Sequence, residues 1–151
     1  MSGARLRGMK WIDLPPVWLV GALVVAWSWR WPEAWGGVLW PGLALLVVAG
    51  VLMGAAILSF MRARTTVVPR RDPSALVTGG VFRLSRNPIY LADLLVLAGF
   101  SLIWGSLPGL VLLPLLGGVL QARFIKGEEA RLTEAYGDEF TAYCSATRRW
   151  L

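Results

Sequence analysis

The sequence predicts an all-α integral membrane protein of about four transmembrane helices, with both termini cytoplasmic and a C-terminal cytoplasmic amphipathic helix. Three observations carry that expectation. Hydrophobic residues make up 56% of the 151, above the 45–50% of an ordinary soluble domain, and mean hydropathy is +0.60. Four apolar blocks are almost free of charge. The basic residues fall between those blocks, as juxtamembrane loops require.

The first block, taken as a span over 14–30, is uncharged from Leu14 to Trp29. Pro15 and Pro16 suit a first helical turn, where a missing N–H costs nothing. Sixteen residues give about 24 Å, a short span that Trp anchors can hold. It follows a basic start and ends in Trp-rich sequence without small residues, so it reads as a retained span and not a cleaved signal. The second span, 35–61, is long enough to cross with tilt. The third and fourth, 88–104 and 107–122, could be one overlong helix. The Gly105-Ser106-Leu107-Pro108-Gly109 cluster between them is dense in helix breakers and favours a hairpin.

Charge orients the bundle. Loop 62–87 carries Arg62, Arg64, Arg70, Arg71, Arg83 and Arg86 against Asp72 alone, which places it in the cytoplasm. Arg5, Arg7 and Lys10 place the N-terminus there, and Arg123 and Lys126 the C-terminal segment. Trp27, Trp29, Trp31, Trp35, Trp40 and Trp104 then fall near the outer interface of an inner or plasma membrane. The tail, 126–151, shows a helical stripe of Leu132, Tyr136, Phe140 and Tyr143 opposite Glu134, Asp138 and Glu139, with Gly137 as a weak point. All 151 residues form one membrane domain.

Composition narrows the chemistry. There is no histidine and one cysteine, Cys144, so a zinc, haem or copper site and an intrachain disulfide are not expected. The net charge of +6 is explained by positive-inside loops facing membrane lipids, not by nucleic acid.

Arg86-Asn87-Pro88-Ile89-Tyr90 opens the third span, with Asn87 placed to cap it and Pro88 in its first turn. Arg86, Tyr90 and Asp93 are spaced to share a face. Asp93 is the acid inside an apolar block. It is a functional candidate with Arg86 or Tyr90 as its partner, or else a shallow structural acid snorkelling to the interface. Glu128 and Glu129 are favoured by the dipole at a helix start. They point about 100° apart, so one of them can face a cavity.

The stretch Leu76–Leu91, with Arg86-Asn87-Pro88-Ile89-Tyr90, and the tail pattern Glu128-Glu129, Leu132, Tyr136-Gly137, Phe140, Tyr143 and Arg149-Trp150 resemble the isoprenylcysteine carboxyl methyltransferase and phospholipid methyltransferase superfamily. The resemblance covers roughly Thr66 to Leu151. It implies a helical membrane enzyme that uses S-adenosylmethionine at the cytoplasmic end, with a lipophilic acceptor entering from the bilayer. By position Arg86, Pro88, Tyr90, Glu128, Glu129 and Arg149 match its motifs. Arg86, Asn87, Pro88, Tyr90, Glu128, Glu129 and Tyr143 are the candidate cofactor contacts, Tyr143 for the face its ring offers a sulfonium. Asp93, as a candidate base, and Arg149 are the candidate catalytic residues. Two positions depart from the pattern. Asn87 stands where isoprenylcysteine enzymes usually have His, and Asn cannot titrate near neutral pH. Arg148 stands where Pro is frequent. The acceptor, whether carboxylate, phospholipid amine, thiol or another lipophilic group, is left open. So is a non-enzymatic membrane scaffold derived from the same family.

Overall fold

The computed structural model describes residues 14–31, 38–65 and 74–151. The expectations resting on Arg5, Arg7, Lys10, Trp35, Arg70, Arg71 and Asp72 lie outside those residues. The described residues are all helical or irregular, with no strand. The elements are α1 (Pro15–Ser28), α2 (Leu39–Arg62), a 3₁₀ turn (Gly80–Arg83), α3 (Pro88–Trp104), α4 (Leu107–Leu120), a π turn (Gln121–Ile125) and α5 (Lys126–Ala146).

Two helical stretches, α2 and the continuous run Leu107–Ala146, are long and apolar enough to cross a bilayer, whereas α1 and α3 are shorter apolar helices. The hairpin between α3 and α4 forms as expected. Gly105 takes a left-handed conformation (φ 62°), which glycine adopts without a Cβ penalty. Ser106 caps α4 by accepting the Gly109 N–H at 3.2 Å and donates to the Trp29 carbonyl at 3.3 Å.

Those contacts gather the end of α1, the start of α2 and the α3–α4 hairpin at one end of the bundle. Trp27 meets Trp104 edge-on there at 5.1 Å, Arg30 lies over the Trp27 ring, and Trp29, Trp31 and Trp40 are exposed. An exposed tryptophan belt suits a membrane–water boundary.

The α2–α3 interface is the most extensive in the bundle, and small residues make it possible. A Cβ on Gly42 would lie 2.8 Å from the Gly99 carbonyl, and one on Gly99 would lie 2.9 Å from the Gly42 carbonyl. Such backbone approach is how helices associate where neighbouring lipid is as apolar as the side chains. Helix α1 packs on α3 and α4, with Ala26, Leu97, Leu116 and Leu120 in the core. The α1–α2 pair is not among the substantial interfaces. Valines and leucines elsewhere on α1, α2 and α4 face outward, as lipid-facing residues do.

Two expectations about the tail are corrected. The helix does not run to 151: it ends at Ala146, and Thr147 is extended (φ −133°, ψ 130°). Nor is there a free helix start at Glu128, because α4 continues through the π turn into α5. The macrodipole therefore does not account for the paired acids. Gly137 does break regular geometry (φ 45°, ψ −115°), and Phe140 on the predicted stripe is buried while Glu134, Asp138 and Glu139 are exposed.

Candidate active site

At the end opposite the tryptophan belt, α1, α2, α3 and α5 surround a cavity of about 260 Å³. Its apolar wall is Pro15 and Pro16 from α1, Met53 and Phe60 from α2, and Phe82 from the 3₁₀ turn. Its polar wall is Arg86, Asn87, Tyr90 and Asp93 at the start of α3, and Glu128 from α5. Phe60 and Phe82 meet edge-on at 5.2 Å. The Phe82 carbonyl accepts the Tyr143 hydroxyl at 2.6 Å, which ties the 3₁₀ turn to α5.

The shared face of Arg86, Tyr90 and Asp93 forms, but the expected pairing does not. Neither Arg86 nor Tyr90 bonds Asp93. Asp93 is only 6% exposed, faces the cavity, and has no hydrogen bond or ion pair among the described residues. Tyr90 instead donates to Glu128 Oε1 at 2.7 Å and stacks on Phe124. Burial of its carboxyl raises the Glu128 pKa, and the Tyr90 hydrogen bond and nearby Arg131 pull it back.

The π turn explains how Glu128 arrives there. Leu120 is fully buried, and eight residues of regular helix would rotate Glu128 about 80° away from it. A π turn absorbs one extra residue, which reduces that offset to roughly 20° in the other direction at about 100° per residue. Glu128 therefore returns to the inward face.

Glu129 points elsewhere, as adjacent positions on a helix must. Arg149 grips it with two hydrogen bonds, Nε to Oε1 at 3.0 Å and Nη2 to Oε2 at 2.6 Å. Arg86 Nη2 lies 3.5 Å from the same carboxylate. Planar bidentate pairing of this kind is stronger than a point contact, and it raises the Arg149 pKa further. Arg86 also donates to the Cys144 sulfur, while its Nε is buried without a partner.

The extended tail straps the two motifs together. The Arg148 carbonyl accepts the Arg86 N–H at 3.0 Å. The Arg149 carbonyl accepts from Ser85 Oγ at 3.2 Å and Asn87 Nδ2 at 2.9 Å. Asn87 occupies the N-cap position of α3 but makes no side-chain cap. Its amide is spent on the tail, which corrects the capping role expected of it.

Of the sequence candidates, Arg86, Asn87, Pro88, Tyr90, Asp93 and Glu128 line the cavity together. Glu129 and Arg149 form the adjoining clamp, and Tyr143 braces the 3₁₀ turn from outside. The sequence reading took Pro15 and Pro16 only as a helix start, and it missed Met53 and Phe60, whose positions in an apolar block carry no distinguishing mark. It also missed Phe82, although that residue lies inside the quoted motif stretch.

Residues 37–139 match the family described as Phospholipid methyltransferase. The match takes in α2, which lies outside the motif resemblance, and stops before Tyr143 and Arg149. No curated protein and no solved structure matches the chain. With more than half of its length matched, from α2 through the cavity-lining start of α3 to Glu128 and Glu129, the chain belongs to the phospholipid methyltransferase family, part of the membrane methyltransferase superfamily that includes the isoprenylcysteine carboxyl methyltransferases.

Proposed function

We propose that this protein is an S-adenosylmethionine-dependent methyltransferase acting on the amine of a membrane-embedded lipophilic acceptor, with its site at the cytoplasmic face of a four-span bundle. The observation that carries this reading is the unpaired Asp93 carboxylate, buried in the cavity wall. An anionic acceptor would meet two carboxylates there, Asp93 and Glu128, while the guanidinium groups of Arg86 and Arg149 are already drawn to Glu129. A cationic headgroup suits that balance better.

The residues present fit the cofactor. The Arg86 Nε–H is an unspent donor beside the cavity, suited to a carboxylate. Glu128 uses one oxygen for Tyr90, leaving the other for hydroxyls or an ammonium. The rings of Phe60, Phe82 and Tyr90 offer faces to a sulfonium. When bound, S-adenosylmethionine supplies an electrophilic methyl group.

This chain's own residues then have three tasks. Asp93 accepts a proton from the acceptor's ammonium, so that the nitrogen lone pair becomes free to form the N–C bond. Tyr90 and the Glu129–Arg149 clamp hold the start of α3 and α5 in register, which fixes donor and acceptor in line. The apolar wall excludes water. Among the described residues α1 and α2 make few contacts with each other, which supports lateral entry of the acceptor from the bilayer on that side.

The four-span, cytoplasmic placement is supported by Arg62, Arg83, Arg86, Arg123, Lys126, Arg148 and Arg149, which lie toward the cavity end and away from the tryptophan belt. Calorimetric titration of S-adenosylhomocysteine into detergent-purified protein tests the reading. Wild-type protein binds, and a Glu128→Ala/Glu129→Ala variant does not. Absence of binding to folded wild-type protein would overturn it in favour of a scaffold.

A further inference from the structure

A second cavity, of about 490 Å³, lies between α3 and α4 and shares no lining residue with the first. On α3 it uses Leu94 and Ala98, whose mean direction lies roughly 90° round the helix from that of Tyr90 and Asp93 at about 100° per residue. On α4 its floor is Pro114, Gly117 and Gly118. Nothing lies within 4 Å of a Cβ built on Gly118, so the groove exists because α4 carries no side-chain bulk there.

The groove is apolar along its length and polar at one end. From Leu113 to Gln121 it runs about 12 Å at 1.5 Å per residue, most of the roughly 15 Å depth of one leaflet's hydrocarbon. At its end the Trp150 indole donates to Gln121 Oε1 at 3.1 Å. An indole can only donate, so the amide oxygen must face it, and the Gln121 NH₂ is left without a partner among the described residues. An unspent donor at the head of a one-leaflet hydrocarbon groove matches an acyl chain that ends in an ester or phosphate oxygen.

We infer that this groove is a binding site for one acyl chain of a membrane glycerophospholipid, separate from the reaction cavity. The inference rests on membrane embedding and not on methyl transfer. Its occupant touches Trp150, the neighbour of Arg149, and so braces the strap that holds the clamp on Glu129.

The test uses full-length protein in phosphatidylcholine nanodiscs doped with a phosphatidylcholine bearing a diazirine on its acyl chain. No cofactor or acceptor is present, so the outcome is independent of the enzymatic reading. After irradiation, adducts concentrate on the Leu113–Gln121 segment and Trp150. In Gly118→Leu, which fills the groove, they fall about tenfold, the equivalent of roughly two fewer buried methylenes. Labelling of the outward α2 residues Val47 and Val51 stays constant and shows that the fold is intact. Gln121→Ala lowers retention of the phospholipid probe more than that of a diazirine alkane without a headgroup. Labelling spread evenly over the outward face of α4, insensitivity to Gly118→Leu, or chain-to-chain cross-links in place of lipid adducts would each overturn the inference.

Discussion

The Tyr90 hydroxyl and the Glu128 carboxylate, 38 positions apart in sequence, meet at 2.7 Å and join the first turn of α3 to the helix beyond the π turn. Tyr90→Phe keeps the ring on Phe124 but releases Glu128. A hydrogen bond to a charged group contributes about 1.5–3 kcal/mol, so affinity for S-adenosylhomocysteine falls at least about tenfold in calorimetry, with the helical content unchanged by circular dichroism.

Asp93→Asn separates base catalysis from binding. Removing a positioned general base costs about 10²–10⁴-fold in turnover. The variant binds S-adenosylhomocysteine like the wild type but transfers methyl from radiolabelled cofactor to an amine lipid at that reduced rate. A rate within about threefold of wild type would remove Asp93 from the chemistry.

Arg149→Ala leaves Glu129 with Arg86 alone at 3.5 Å. The pair is partly exposed, so the loss is modest, about 1–2 kcal/mol, and appears as a lower thermal midpoint in detergent. Arg149→Lys recovers little of it, because an ammonium cannot reproduce the bidentate grip.

Glu128 makes stability depend on pH with a definite sign. Its pKa is raised in the folded state by burial, so the folded protein holds its proton more tightly than the unfolded chain. The resulting stabilisation is present below the ordinary carboxyl value of 4.5 and is lost as pH rises from there through the folded value. Relative to Glu128→Gln, which cannot titrate, the wild-type thermal midpoint drops as pH is raised from about 4.5 toward neutrality.

Gly99→Ala tests the close α2–α3 approach. The added methyl meets the Gly42 carbonyl and the Leu46 side chain at 2.9 Å, and overpacking of that kind costs about 1–3 kcal/mol. A lower thermal midpoint follows. Gly118→Ala, with open space around its Cβ, leaves the midpoint near wild type.

The helices were legible because a bilayer demands long charge-free runs, and because Gly105, Ser106 and Pro108 leave few ways to continue α3 into α4. The polar wall was legible for a related reason. Asp93 stands out in an apolar block, and the Arg86–Tyr90 and Glu128–Glu129 patterns are specific in combination. The apolar wall was not legible, because Met53 and Phe60 differ in no visible way from lipid-facing neighbours on α2. Nor was the π turn, whose geometry follows from how Leu120, Phe124 and Ile125 pack. The strap from Thr147 onward lacks periodicity altogether. Asn87 was misassigned because a capping residue and a residue that bonds a distant carbonyl look the same in sequence.

The π turn has a consequence for chain length. It accommodates one residue more than a regular helix needs between Leu120 and Glu128, so the run carries a single-residue slack. Deleting Ala122, an exposed residue, would let the segment close into ordinary α geometry with Glu128 still directed at Tyr90. An insertion at the same place has no such reserve and would swing both acids out of position. Length variation at this joint is therefore tolerated in one direction only.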